Sequence, residues 1–230
     1  MTSKPAVLCD FDGTISKGDI GNSLFRKFAG GTDWEELIAS WVRGEIGSRE
    51  CLTRECMLAR VTREEVVALA ESFEIDEHFH EFADWRAAGG VPLAVVSDGL
   101  DFYIEVVLRK HGLSHLPTFA NHLKFNEKGI EPEFPYFGKG CQQCGNCKGY
   151  HVRVHRERHG RVVFVGDGYS DRCALNESDL VLAKGDLARV CRETGRPYAP
   201  FRDFRDVRLR VEEACGRGGS DGRRRTGRGR

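Results

Sequence analysis

Three short apolar runs, each ending in a polar turn, punctuate this chain. Ala6-Val-Leu-Cys9 runs into Asp10-Phe-Asp-Gly-Thr14, Pro92-Leu-Ala-Val-Val96 into Ser97-Asp98-Gly99, and Arg161-Val-Val-Phe-Val-Gly166 into Asp167-Gly-Tyr-Ser-Asp171. Apolar runs of this length, bounded by glycine, proline and acid, predict buried strands, with Pro92 at a strand edge. Between the first two strands the pattern turns helical. Trp34, Leu37, Ile38 and Trp41 form one face behind a start at Asp33 and Glu36, and Ser48 is placed to cap a helix carrying Leu52, Cys56 and Ala59. Thr62 with Glu65 makes a capping box ahead of Val66, Leu69, Ala70 and Phe73. Breaks at Gly30-Gly31, Gly44 and Gly47 keep these helices short. They predict a small bundle inserted after the first strand, with the aromatic stripe as the bundle's own core, in a position to close over the first turn.

Beyond the insert, Asp76–Ala88 reads as a helix ending at Gly89-Gly90. A helix with Phe102, Ile104 and Val106 to Leu108 follows the second strand as far as Gly112. Pro117, Pro132 and Pro135 restrict residues 116–137 to short strands and loops. Cys141–Lys148 is rich in glycine and cysteine, and an amphipathic helix runs on to about His159. After the third strand come a short helix at Cys173–Asn176, a strand at Leu180–Ala183 and a helix from about Asp186. Strands alternating with helices predict an α/β fold with a doubly wound, mostly parallel sheet, in which ligands bind at the carboxyl ends of the strands. The expected division is a core of residues 1–15 and 85–215, a helical cap of 16–84, and a disordered basic tail of 216–230.

Composition adds limits. Hydrophobic residues at 40% and charged residues at 30% belong to a globular protein. No apolar run approaches the roughly 18 residues that a membrane helix needs, and the amino terminus enters a strand directly, without the pattern of a signal peptide. Nine cysteines, an odd number, argue for a reducing, cytoplasmic setting rather than a disulfide framework. The net charge of zero hides an asymmetry: residues 216–230 hold six arginines and one aspartate, so the tail carries +5 and residues 1–215 carry −5. The tail has no aromatic residue to stack on a base, which favours a solvated extension over a nucleic-acid-binding arm.

The chemistry starts at the first turn. Side chains two apart leave a strand on the same side, so Asp10 and Asp12 converge on one point. Like charges held that close require a cation between them or a proton on one, and both conditions suit Mg²⁺-assisted phosphoryl transfer through an aspartyl nucleophile. Asp10 would attack phosphorus, while Asp12 would protonate the leaving oxygen and later accept a proton from water. Ser97 would donate to a phosphate oxygen, Lys148 would neutralise charge, and Asp167 and Asp171 would join Asp10 and Asp12 around Mg²⁺. Cys141-x-x-Cys144-x-x-Cys147 has the spacing of a zinc or iron-sulfur knuckle, a place for Zn²⁺ with His151 or His155 as fourth ligand. Reduced thiols that shape the loop, or a redox pair that displaces Lys148, are the alternatives.

In this order, Asp-Phe-Asp-Gly-Thr at 10–14, Ser97-Asp98-Gly99, a lysine nineteen residues before an acidic motif, and Gly-Asp-Gly-Tyr-Ser-Asp at 166–171 resemble the four motifs of the haloacid dehalogenase (HAD) superfamily. The resemblance implies a Rossmann-like core, and Asp12 favours the branch that hydrolyses phosphate. The insert placed directly after the first motif resembles subfamily IB, with its phosphoserine phosphatases. Residues 5–214 resemble more closely the methionine-salvage phosphatases acting on 2-hydroxy-3-keto-5-methylthiopentenyl-1-phosphate, through Cys-Asp-Phe-Asp-Gly-Thr-Ile at 9–15, Val-Val-Ser-Asp-Gly-Leu-Asp-Phe at 95–102 and Cys-Gly-Asn-Cys-Lys at 144–148. That resemblance implies an acid facing the substrate at Asp19, which as a helix cap has an equally good structural reading, and places Gly13, Thr14 and Gly99 at the substrate. Asp98 stands where that family often has glycine.

The expected activity is therefore a Mg²⁺-dependent phosphomonoesterase for a small phosphorylated metabolite, with a homodimer among the assemblies left open. Phosphoserine is the alternative substrate, and Arg43, Arg54 and Arg60 are the cap residues that could meet its carboxylate. A receiver-type phospho-acceptor switch shares much of the pocket but lacks an aspartate two residues beyond the acceptor and a helical lid. A zinc or redox regulatory module at the cysteine loop could coexist with catalysis.

Overall fold

A computed structural model describes residues 4–127 and 129–216. The basic extension beyond Gly216 lies outside the described residues, and Gly216 itself closes the last helix. The chain begins with β1 (Ala6–Cys9), followed by α1 (Ile20–Phe28), α2 (Asp33–Val42), α3 (Ser48–Leu58), α4 (Arg63–Glu71) and α5 (Phe79–Ala88). Next come β2 (Leu93–Leu100), α6 (Asp101–Lys110), β3 (Thr118–Asn126), β4 (Gly129–Glu133), α7 (Lys148–His159) and β5 (Val162–Gly166). A single 3₁₀ turn at Tyr169–Asp171 leads into α8 (Arg172–Leu175), β6 (Leu180–Ala183), α9 (Gly185–Glu193), β7 (Ala199–Pro200) and α10 (Phe204–Gly216).

The strands form one sheet in the order β4-β3-β2-β1-β5-β6-β7, parallel throughout except for the β3/β4 pair. Alternation along β1 sends Val7 and Cys9 into one buried cluster and Ala6 and Leu8 into another, so both faces of the sheet are covered. A fully buried valine, leucine or phenylalanine contributes roughly 1.5–3 kcal/mol, and β1, fully buried, is anchored accordingly. The register aligns Cys9 with Val95 on one side and with Val165 on the other. That alignment carries Asp10, Ser97 and Asp167 to the same carboxyl edge.

Helices α1–α4 stand between β1 and α5. The two ends of this insert pair as a short antiparallel bridge at Ser16 and Ile75, reinforced by the amide of Lys17 on the carbonyl of Glu74 and that of Asp76 on Ile15. The Thr62–Glu65 capping box forms as the sequence predicts. By contrast, α5 belongs with the sheet, since Phe79 and Phe82 pack on Phe204 of α10.

Two expectations change. Along α2 only Leu37 is buried; Trp34, Ile38 and Trp41 are half-buried, because this face meets an open space as well as α3. Ser48 does not cap α3. Gly47 holds the cap position, and the Ser48 hydroxyl reaches out of the insert to the carboxylate of Asp98.

Candidate active site

The floor of the site is a buried ion cluster. Lys148, the first residue of α7 and fully buried, places Nζ 2.7 Å from Asp10 Oδ1 and 2.5 Å from Asp171 Oδ1, and donates to Ser170 Oγ at 2.9 Å. Asp171 Oδ2 accepts from the amides of Asp167 at 3.0 Å and Gly168 at 2.9 Å, so this carboxylate is occupied in folding the turn around itself. Thr14 Oγ1 donates to Asp167 Oδ1 at 2.5 Å. Gly13 adopts φ +72°, and a β-carbon there would lie 2.3 Å from Asp167 Oδ2, so the loop admits only glycine. Gly13 and Thr14, expected at the substrate, instead buttress Asp167 from behind and do not line the cavity.

Burial pushes Asp10 well above the usual carboxylate range, Asp171 and Asp167 add repulsion, and Lys148 opposes both. Burial, then Asp171, raises Asp167 to about 6. Burial works against the charge on Lys148, but Asp10 and Asp171 outweigh it and hold the ammonium above its ordinary range.

Asp12 stands apart from this cluster. Tyr103 donates to its Oδ2 at 2.8 Å, and the amide of Ile20 to its Oδ1 at 2.8 Å. Burial, then the charge of Asp19, raises it to about 7. Asp19 caps α1 by accepting from the Asn22 amide at 2.7 Å, and its exposed surface borders the cavity. It is therefore a helix cap and a cavity residue at once, and desolvation raises its pKa as well.

Ser97 Oγ accepts from the Gly99 amide at 2.9 Å, which leaves its O–H to donate into the cavity. Asp98 points elsewhere. Its carboxylate accepts from Ser48, from the Asn146 amide at 2.6 Å and from Asn121 Nδ2 at 3.2 Å.

Above the floor lies a cavity of about 560 Å³. Phe25, Ile38, Trp41, Val42, Leu52 and Leu100 give it an apolar wall, and Asp12, Asp19 and Glu55 an acidic one. Glu55 is buried, and its desolvation raises it to about 8. Among the described residues, no lysine, arginine or histidine lines this cavity. Arg43 is engaged with Glu36 and Glu45, Arg54 with Glu50, and Arg60 with the carbonyls of Met57 and Ala59. The stripe expected as the insert's private core thus supplies the roof of the site.

The charge of the floor sets what it can hold. Carboxylate oxygens of Asp10, Asp167 and Asp171 lie within 4.8 Å of one another; one ammonium among three carboxylates leaves two negative charges. An all-oxygen set with that surplus fits Mg²⁺. Asp12, expected as a fourth ligand, keeps its carboxylate outside this group because Tyr103 and the Ile20 amide hold it.

The cysteine loop takes a different fourth partner from the histidines expected. His151 Nε2 is bonded to Asn146 Oδ1 at 2.6 Å and His155 Nδ1 to the His151 carbonyl at 2.9 Å, while burial lowers His151 to about 4. Cys173, at the start of α8, brings its thiol to those of Cys141, Cys144 and Cys147.

Residues 7–176 match the family of haloacid dehalogenase-like hydrolases. The chain belongs to that family. Among curated relatives, this hydrolase is 34% identical to the bifunctional enzyme MtnB/MtnX of Bacillus licheniformis over 92% of its own length, and it spans about half, 50%, of that relative. It is 30% identical to the 2-hydroxy-3-keto-5-methylthiopentenyl-1-phosphate phosphatase of Bacillus velezensis, with 92% of each chain covered. Among solved structures, a phospho-aspartyl intermediate analogue of phosphoserine phosphatase superposes with a TM-score of 0.69 at 21% identity, covering 89% of this chain and 97% of the other. That likeness establishes the fold, a HAD-like mostly parallel sheet.

Four participants left no readable signal in this hydrolase's sequence: Tyr103 on Asp12, Glu55 in the roof, Ser48 on Asp98, and Cys173 with the cysteine loop. Tyr103, Ser48 and Cys173 meet their partners across 29 or more residues of chain, and Glu55 acts through the cavity it lines. The C-x-x-C spacing hinted at a fourth ligand, and the histidines expected there give way to Cys173.

Proposed function

We propose that this protein is a Mg²⁺-dependent phosphomonoesterase acting through an aspartyl-phosphate, with 2-hydroxy-3-keto-5-methylthiopentenyl-1-phosphate as its substrate. The observation that carries the choice of substrate is the basic-free cavity above the carboxylate floor. Phosphoserine brings a carboxylate and an ammonium, and a carboxylate in this cavity would meet Asp19, Glu55 and apolar carbon with no cation to pair with. The proposed substrate carries hydroxyl and keto oxygens near its phosphate and an uncharged methylthio end. Its oxygens suit the acidic wall, where a protonated Glu55 donates a hydrogen bond, and its methylthio end suits Phe25, Ile38 and Trp41.

In the proposed reaction, Asp10 attacks phosphorus and the bond to the leaving oxygen breaks as Asp12 delivers its proton. Asp12, now a carboxylate, takes a proton from the water that attacks the aspartyl-phosphate, releasing inorganic phosphate and restoring both aspartates. The high pKa of Asp12 keeps a proton available near neutrality. The Ser97 hydroxyl holds an oxygen of the transferring group and Lys148, behind Asp10, balances its charge, with Gly99 and Asp19 beside the substrate. Mg²⁺, held by Asp10 and Asp167 with Asp171 close behind, would neutralise the charge of the phosphoryl group. The helices between Ser16 and Ile75 act as the cap, a shorter insert than residues 16–84 because α5 packs on α10 of the core, and they shield the intermediate from solvent. A reducing cytoplasm is the proposed setting; among the described residues no helix is long and apolar enough to cross a membrane.

The test is phosphate release from the enol-phosphate, phosphoserine and a simple aryl phosphate, with and without Mg²⁺, using Asp10→Asn as control. Metal-dependent turnover of the enol-phosphate at a kcat/KM at least about 100-fold above phosphoserine is expected. Equal or better use of phosphoserine would overturn the substrate, and turnover by Asp10→Asn would overturn the mechanism.

A further inference from the structure

The four thiols of Cys141, Cys144, Cys147 and Cys173 lie outside the proposed chemistry, yet their geometry is specific. Sγ of Cys173 is 3.8 Å from that of Cys144 and 3.8 Å from that of Cys141, and all four sulfurs lie within 4.8 Å of one another. No pair is bonded as a disulfide; all four cysteines are free. A tetrahedral zinc with Zn–S bonds of about 2.3 Å has S···S edges of about 3.8 Å. The two Cys173 separations match that edge, and the remaining ones, all within 4.8 Å, leave the four sulfurs close enough to share one ion. A cluster with bridging sulfides would need its ligand sulfurs further apart.

The geometry points to a structural Zn²⁺ site of four thiolates, Cys141, Cys144, Cys147 and Cys173, that clamps the cysteine loop and the start of α7 to α8. Zn²⁺ from solution binds with loss of four thiol protons to solvent, and no electron is transferred. The surroundings suit the resulting negative charge. The Cys144 amide donates to Cys141 Sγ at 3.4 Å. Among the described residues, no carboxylate and no histidine joins the four sulfurs as a competing ligand. Three of the thiols are only half-buried, which leaves the ion a way in.

The clamp has a structural purpose at each end. Cys147 immediately precedes Lys148, and Cys173 follows Asp171 by two residues, so the ion ties together the two segments whose side chains make the Lys148–Asp171 ion pair. The first turn of α7 rests on α8 with no space between, since a β-carbon on Gly149 would come within 2.5 Å of the Cys173 carbonyl oxygen. The same loop carries Asn146, whose amide binds Asp98 and whose side chain binds the carbonyls of Ser97 and Phe119 at 2.8 and 2.9 Å. It also meets the roof, where the Gly145 amide donates to Ser48 Oγ at 3.1 Å. One ion would thus fix the lysine, the serine turn and the foot of α3 in a common frame.

The test is metal content, which is independent of turnover. Full-length protein grown with added zinc, purified with a reductant and no chelator, is expected to carry one zinc per chain by mass spectrometry. Replacement by Co²⁺ is expected to give the strong visible bands of tetrahedral cobalt thiolate. Cys173→Ser is expected to hold less than about a tenth of an equivalent of zinc and to lose those bands, while Cys191→Ser, on the buried face of α9 and outside the four-thiol group, keeps both. Should Cys173→Ser fail to fold, the zinc content and cobalt spectrum of the unaltered protein decide alone. Iron in place of zinc, a disulfide among the four cysteines, no bound metal, or full zinc and cobalt spectrum in folded Cys173→Ser would each overturn the proposal. None of these results bears on the phosphatase reading, which stands or falls on substrate turnover.

Discussion

The floor and the roof of the cavity are built by opposite rules. The floor is three strand ends in fixed register, and its groups are buried and multiply bonded: Lys148 touches Asp10, Asp171 and Ser170, and Asp171 also takes two backbone amides. The roof is a set of short helices whose cavity face is apolar and, at Ile38, Trp41 and Val42, only half-buried, with Glu55 and Asp19 as its acids. A floor of coupled charges fails when Lys148 is removed, because the carboxylates are left buried without their cation. A roof of apolar surface loses affinity in proportion to what is trimmed. Chemistry should therefore be lost at the floor and selectivity altered at the roof.

The sharpest way to break that comparison is Lys148→Met. It leaves Asp10 and Asp171 buried without their cation, and a loss of about 3–5 kcal/mol in urea unfolding is expected, together with turnover reduced by about 10³-fold or more. Asp10→Asn should abolish turnover just as fully while leaving the melting temperature equal or higher, since it relieves repulsion from Asp171 and Asp167. If Lys148→Met unfolds within about 0.5 kcal/mol of wild type, measured without added divalent metal, the lysine is not what balances the floor.

The same contrast explains what could be read in advance. Asp10, Asp12, Ser97, Lys148, Asp167 and Asp171 each follow an apolar run or open a helix at a fixed place in the motif order, and strand register brings the ends that carry Asp10, Ser97 and Asp167 to one edge. Roof contacts follow no such rule. The face with Ile38 and Trp41 has the periodicity of a helix core, and periodicity cannot say whether the space beside a helix is protein or cavity. Asp12 illustrates a limit of another kind. Alternation along a strand puts its side chain near Asp10, but the chain leaves β1 at Cys9, and past that point the pleat no longer governs direction. Tyr103 and the Ile20 amide do. Asp98 looked like a misplaced charge beside the phosphate site until Ser48, Asn146 and Asn121 appeared around it.

Glu55 sharpens the comparison through pH. Burial raises its folded pKa to about 8, from an ordinary value of 4.5, against the donated thiol of Cys51 and with Asp19 adding repulsion. The folded state therefore prefers the neutral acid. Its contribution is fully present below the unfolded pKa and is lost as pH rises towards about 8. Glu55→Gln removes that loss, so the stability of the variant relative to wild type should climb between pH 5 and pH 8, by roughly 3 kcal/mol. Urea unfolding at four pH values checks this, and a gap that does not change with pH would mean that Glu55 is ionised throughout. Trp41→Ala should act only on binding: a rise in KM for the methylthio substrate of about 10-fold, with a smaller change for an aryl phosphate and kcat unchanged. A fall in kcat instead would assign Trp41 to the chemical step.

The smallest expected effect is at a side-chain bond that joins roof to floor. Ser48, in the first turn of α3, donates to Asp98 and accepts from the Gly145 amide. Asp98 keeps its bonds from Asn146 and Asn121 when that hydroxyl is removed, so Ser48→Ala leaves no bare charge. The cost should be that of an ordinary hydrogen bond, about 0.5–1.5 kcal/mol. Because the bond holds the cap helix to the serine turn without touching the carboxylate cluster, the loss should appear as a several-fold rise in KM at constant kcat. Ser48→Thr, which keeps the hydroxyl, should restore it. If Ser48→Ala instead lowers kcat with KM unchanged, the turn carrying Ser97 depends on its tie to the roof, and floor and roof are a single unit rather than two.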